Sequence, residues 1–99
     1  MSKKLSAETR NAAWIGDAVL SLYVRAWILR EHGAMDGGRL SAFSSNQFLS
    51  NFGNPTEVEA GLGRIYEKDG LAAAFAEIES GLLPIFLTQE KRRVRQRRG

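Results

Sequence analysis

The sequence predicts an all-α, single-domain protein, and three observations carry that prediction. Apolar residues recur three and four positions apart through most of the chain. No stretch alternates apolar and polar residues as a half-buried strand does. Glycine and proline divide the chain into segments of helical length. A length of 99 residues suits one domain near the lower end of what folds alone, so a second copy would add usefully to a small core. An apolar fraction of 43% with 9% aromatics belongs to a folded chain and not to a disordered one.

Ser6 is placed to cap the first helix, with Glu8 in the first turn, where an acid suits the helix dipole. From there to about residue 30 the only breaker is Gly16. Trp14, Ile15, Ala18, Val19, Leu22, Tyr23, Ala26 and Trp27 fall at helical spacing, while Leu20, Val24 and Ile28 cover a further side. A helix apolar around most of its girth is buried by more than one neighbour, and another subunit could be one of them. Gly33 ends this helix and Gly37-Gly38 mark a loop. Residues from about 39 to 52 read as a weakly amphipathic second helix through Leu40, Phe43, Phe48, Leu49 and Phe52. Asn51, Gly53, Asn54 and Pro55 break the chain, and Pro55 suits the first turn of a third helix reaching to about residue 68. Asp69-Gly70 is a turn. Residues 71–80 read as a fourth helix with Leu71, Ala74, Phe75 and Ile78 on one face, stopped by Gly81 ahead of Pro84. The apolar run Leu82-Leu83-Pro84-Ile85-Phe86-Leu87 is expected to pack back on the core. The domain is assigned to residues 1–87 and a basic tail to 88–99.

The net charge of +3 conceals an asymmetry. Eight basic and eleven acidic residues precede position 91, which leaves that part at −3. Lys91, Arg92, Arg93, Arg95, Arg97 and Arg98 then supply +6. A cationic arm on a mildly acidic body points to a polyanionic partner, with a disordered solubility tail as the alternative. Arginine outnumbers lysine there, which favours phosphate contact, because guanidinium pairs bidentately with phosphate oxygens. No cysteine is present, so there is neither a disulfide framework nor a thiolate metal site. No uninterrupted apolar run reaches the roughly 18 residues a membrane span needs, and the start Met1-Ser2-Lys3-Lys4-Leu5-Ser6 leads into polar sequence and not into a signal core. The expectation is a cytoplasmic protein with no membrane partner.

The residue inventory limits the chemistry. The single histidine, His32, stands at a helix end, where a surface or capping role is ordinary. No Ser-His-Asp set, no HExxH and no phosphate loop is available. Carboxylates remain, and they favour hard cations such as Mg²⁺ or Mn²⁺. Asp17 lies inside Trp14-Ile15-Gly16-Asp17-Ala18-Val19-Leu20, where a charge is costly unless it is paired or binds a cation. Pairing with an arginine of a neighbouring helix is the alternative. Gly16 beside it costs about 1 kcal/mol of helix propensity, which close backbone approach would explain. Glu59 lies in Thr56-Glu57-Val58-Glu59-Ala60-Gly61-Leu62-Gly63, where two more helix-weakening glycines would let another helix come close. A small-residue helix contact alone would account for that stretch equally well.

Together these stretches resemble the ribonuclease III family. Its signature helix reads like Glu-x-x-Glu-Phe-Leu-Gly-Asp-Ala-Val-Leu, and Trp14-Ile15-Gly16-Asp17-Ala18-Val19-Leu20 matches the second half. Its later helix reads like Asp-Ala-x-Glu-Ala-x-x-Gly-Ala-Ile-Tyr-Leu-Asp-x-Gly, and residues 56–70 follow it through Glu59-Ala60, Gly63, Ile65-Tyr66 and Asp69-Gly70. Leu40-Ser41 and Ser45-Asn46 resemble the family's middle helix, so the likeness covers roughly residues 6–83. The departures are specific. Long-form enzymes carry acids at the positions of Arg10, Ala13 and Thr56, and a middle-helix Glu falls at Gln47, which leaves Asp17 and Glu59 alone. An alanine four before the Asp and a threonine three before the Glu, with Tyr23-Val24-Arg25, resemble the short Mini-ribonuclease III branch, which lacks a double-stranded-RNA-binding domain. That branch carries a longer basic insertion where only residues 51–55 stand here, and the resemblance implies that the basic tail stands in for part of it.

The resemblance implies a dimeric ribonuclease III-type helical endonuclease domain cleaving double-stranded RNA, with ribosomal or other structured RNA as the usual substrate. Asp17 and Glu59 would be the catalytic, metal-holding residues, with Mg²⁺ as cofactor and Mn²⁺ able to substitute. Trp14 matches the bulky aromatic that enters a pocket of the partner subunit in a homodimer, an ordinary core aromatic being the alternative. Lys91, Arg92, Arg93, Arg95, Arg97 and Arg98 would contact RNA. The loss of other acids leaves a catalytically weak or inactive RNA-binding or ribosome-associated relative as the other reading.

Overall fold

The computed structural model describes the backbone of residues 5–98 and the side chains of residues 5–94. Among the described residues every element is helical. Helix α1 (Ala7–His32), with 26 residues, is the longest element among the described residues. It is followed by α2 (Gly37–Ser44), α3 (Asn46–Leu49), a 3₁₀ turn (Ser50–Phe52), α4 (Pro55–Asp69), α5 (Leu71–Glu77), a π turn (Ile78–Leu82) and α6 (Leu83–Arg98). The thinnest dimension, 21 Å, is about two helix diameters.

The helix ends follow the local chemistry. The Ser6 hydroxyl accepts from the Thr9 amide at 3.1 Å and so caps α1. At the other end Gly33 takes the left-handed conformation (φ 77°) and its N–H donates to the Leu29 carbonyl. Asn54 caps α4 ahead of Pro55, its side chain accepting from the Glu57 amide. The second predicted helix is divided in two. Ser45 adopts an extended conformation (ψ 151°), accepts from the Phe48 amide at 3.0 Å and donates to the Ala42 carbonyl at 2.9 Å. A serine positioned to cap a new helix breaks the old one there.

Gly81 does not stop the fourth helix. The backbone widens into the π turn, with the Leu83 N–H bonding to the Ile78 carbonyl, and continues as α6. Pro84 accounts for the widening, because a proline inside a regular helix lacks a donor and clashes with the carbonyl four residues earlier. α6 therefore crosses the assigned boundary between residues 87 and 88, and the basic segment carries on the helix that starts at Leu83.

The core is built on α1, whose Leu20, Tyr23, Val24, Trp27 and Ile28 are buried. Phe43 and Phe48 approach from α2 and α3, Ile78 and Leu82 from the π turn, and Phe86 from α6. The Phe43 and Phe86 rings stack at 4.5 Å between centroids, and Trp27 meets Phe86 edge-on at 6.1 Å. Within the apolar run expected on the core, Leu82 and Phe86 are buried, whereas Ile85 and Leu87 face outward. Phe86 thus pins the base of α6. Phe86→Leu is expected to lower stability by about 1–2 kcal/mol, read as a shifted urea midpoint at unchanged slope.

Two segments, Ala7–His32 and Leu71–Val94, are long and apolar enough to cross a membrane by length and composition. Uninterrupted apolar runs on the sequence do not reveal this, because Asp17 and Arg25 interrupt α1, and Glu77, Glu79 and Glu90 interrupt the later segment.

Candidate functional site

The site begins with two glycines. A Cβ on Gly16 would land on the Glu59 carbonyl group and 2.9 Å from the Gly63 nitrogen. A Cβ on Gly63 would land on the Ala12 carbonyl group and 3.1 Å from the Gly16 nitrogen. α1 and α4 therefore cross backbone against backbone, with Gly16 and Gly63 as the mutual contact. Gly61, which the sequence groups with Gly63, faces open space and takes no part in the crossing.

This crossing brings two carboxylates together. Asp17 follows Gly16 on the exposed side of α1, and Glu59 sits half-buried one turn before Gly63 on α4. Burial comes first in pushing the Glu59 carboxyl up to about 7, followed by its hydrogen bond to Asp17 and then by the Asp17 charge. Among the described residues Asp17 has no arginine partner, the alternative left by the sequence. Among the described residues no ion pair involves either carboxylate. No third His, Cys, Asp or Glu among the described residues joins the pair into a larger ligand cluster.

Trp14 is not a core aromatic, since 79% of it is exposed. It stands beside an open groove of about 1050 Å³ between α1 and α4, lined also by Glu8, Ala12, Ile15, Arg64 and Lys68. Arg64 donates to Glu8 at 2.8 and 3.2 Å across that groove and holds the Glu8 carboxyl below the usual carboxylate range. Ala18, Leu22, Ala26 and Leu29 continue an exposed apolar stripe from Trp14 along α1. Lys91, Arg92 and Arg93 are exposed on α6, and the Arg93 guanidinium lies 5.8 Å over the Phe86 ring. The side chains of Arg95, Arg97 and Arg98 lie outside the described residues. The His32 ring packs edge-on against Trp27 at 5.4 Å, a structural contact at a helix end. Arg10, at one of the positions where long-form enzymes carry an acid, donates to the Leu5 carbonyl at 2.8 Å.

One polar groove was not singled out from the sequence. Ser41, Ser45, Gln47 and Asn51 from α2, α3 and the 3₁₀ turn face Gln89 and Arg93 of α6. The sequence marks Ser41, Ser45 and Gln47 only as middle-helix positions, and no local pattern joins them to Gln89 and Arg93.

No family profile, no characterised protein and no solved structure matches this chain.

Proposed function

We propose that the chain is a metal-dependent endoribonuclease of the ribonuclease III type, acting as a homodimer on double-stranded RNA. One observation carries the proposal: Asp17 and Glu59 are held side by side at the Gly16–Gly63 crossing, and among the described residues no cationic side chain pairs with either. Burial first, and then the neighbouring Asp17, push the Glu59 carboxyl up to about 7, and a bound cation would relieve that cost. The donors fit Mg²⁺, because two hard oxygen ligands leave the rest of its octahedral shell to water and phosphate. Bound there, Mg²⁺ would polarise a scissile phosphate and lower the pKa of an attacking water. Asp17, on the exposed side, is the ligand a substrate would meet first. Glu59, half-buried and fixed by α4, sets the depth of the site and must give up its proton to serve.

The homodimer is supported by Trp14. An aromatic this exposed, beside an open groove and at the head of an apolar stripe, suits a symmetric contact in which each copy offers both ring and groove. Glu8, Arg64 and Lys68 in that groove give both signs of charge for self-complementarity. Trp14→Ala is expected to weaken self-association at least tenfold, as the loss of one interface anchor does. Sedimentation at low micromolar concentration checks this, and an unchanged dimer mass would count against the assignment.

RNA contact through Lys91, Arg92 and Arg93 is supported by their exposure on a helix anchored by Phe86. The proposal includes a cytoplasmic location. The apolar side chains of α1 are used in the core and at the proposed dimer face, and membrane insertion would carry the Asp17–Glu59 pair into lipid.

The deciding experiment incubates long labelled double-stranded RNA with the protein and Mg²⁺, with Mn²⁺ as a second cation, beside Asp17→Asn and Glu59→Gln. Short duplex products from the unaltered chain alone support the nuclease. A second reading, an RNA-binding relative without cleavage, is favoured by one observation: among the described residues the pair stands without a third acid. Intact RNA that still shifts on a gel would select it.

A further inference from the structure

The groove between α2, α3 and α6 has a volume of about 600 Å³ and no carboxylate in its lining. Several of its polar groups are already engaged. The Asn51 amide donates to the Phe48 carbonyl at 2.6 Å and its oxygen accepts from Gln89 at 3.2 Å, while Ser45 caps α3. The Ser41 hydroxyl and the Gln47 amide are exposed and have no hydrogen-bond partner among the described residues.

Arg93 supplies the charge. It lines this groove and an adjoining one of about 320 Å³ that contains Asp36 and Glu90. Both of those carboxylates are taken by Arg39, at 3.2 and 2.8 Å. Arg93 therefore makes no ion pair among the described residues. Its guanidinium is held over the Phe86 ring, so part of its rotamer freedom is already spent.

The geometry points to this groove as a seat for the sugar–phosphate backbone of RNA, with Arg93 on a phosphate and Ser41 and Gln47 on ribose hydroxyls. The inference rests on the double-stranded RNA reading above and adds to it a surface that reads the sugar. A hydroxyl and a carboxamide each donate and accept, as a ribose 2′-hydroxyl does, and DNA offers no such group. A single unpaired guanidinium among neutral donors suits a backbone met one phosphate at a time. An acidic peptide would call for several cations within the groove. Lys91 and Arg92, exposed on the same helix, carry the positive potential onward from its edge.

The test measures anisotropy of a short labelled RNA duplex, and of a DNA duplex of the same sequence, across a salt series, with Ca²⁺ in place of Mg²⁺ to prevent cleavage. Ser41→Ala and Gln47→Ala are exposed changes whose folding is verified by thermal melts. Each is expected to weaken RNA binding roughly three- to tenfold, to leave DNA binding and the salt slope unchanged, and so to shrink the RNA preference. Arg93→Gln is expected to weaken both duplexes and to reduce the salt slope by about 0.9. If the unaltered chain prefers RNA and both alanine variants keep that preference and affinity, the groove is not where ribose is read, and the RNA reading stands. If the unaltered chain binds no RNA duplex, the RNA reading itself falls and the groove assignment with it.

Discussion

Gly63→Ala and Gly16→Ala are each expected to unfold the domain or to lower its stability by at least about 4 kcal/mol, a large part of what a chain this size has. Glycine to alanine in a helix ordinarily stabilises by about 1 kcal/mol, so propensity predicts the opposite sign. Space decides the outcome. The new methyl group would occupy the Ala12 carbonyl in one case and the Glu59 carbonyl in the other. A backbone carbonyl in mid-helix has no rotamer to retreat to, so the two helices would have to separate. That separation would expose side chains that are buried on these two helices, such as Ala13, Ala60 and Leu62. Gly61→Ala is the internal control, two residues away on the same helix with nothing near its missing Cβ. It is expected to raise stability by up to about 1 kcal/mol. Urea denaturation of the three variants reads both signs, and equal effects at positions 61 and 63 would remove the close crossing from the account of this fold.

That contrast marks how far the sequence could be read. Gly16 and Gly63 are legible as glycines that need a reason, and the reason is the helix contact. Gly61 carries the same symbol in the same helix without that reason, and nothing local separates it from Gly63. Helix ends are legible because their signals act over three or four residues, as at Ser6, Gly33 and Pro55. Ser45 and Pro84 are misread because each is settled by alternatives close in energy. Ser45 can continue a helix or cap the next, and a proline can end a helix or be absorbed by a π turn. The exposure of Trp14 is hidden by α1 itself. A helix apolar around most of its girth gives no clue to which stripe its neighbours leave open. Asp17 and Glu59 stand out as charges in apolar or glycine-rich settings, but their meeting depends on a crossing between residues far apart in the chain. The polar groove draws on three separate elements and has no local pattern to announce it.

Asp17→Asn and Glu59→Gln are each expected to abolish cleavage, roughly a thousandfold or more, while making the metal-free protein more stable. The first effect follows from losing one of two cation ligands, since the metal contributes several kcal/mol to the barrier and each 1.36 kcal/mol is tenfold. The second follows from the Glu59 proton. With a folded-state value of about 7 against an ordinary 4.5, the folded chain holds this proton more firmly than the unfolded chain does. Stability therefore falls as pH rises from about 4.5 to about 7, and the penalty is fully present above that window. Its size is on the order of 2 kcal/mol, less than the whole shift implies because Asp17 is exposed and screened. Glu59→Gln removes the penalty outright, and Asp17→Asn removes the neighbouring charge and lets the Glu59 value fall. Thermal melts at about pH 8 without divalent cation should place both variants above the unaltered chain, with the gap closing towards pH 5. Mg²⁺ should raise the melting temperature of the unaltered chain at pH 8, have little effect at pH 5 where the proton competes with it, and leave Glu59→Gln unmoved. Loss of cleavage together with loss of stability at pH 8 would instead mean that the two carboxylates hold the fold together, and the crossing would then be a structural joint with no cation to hold.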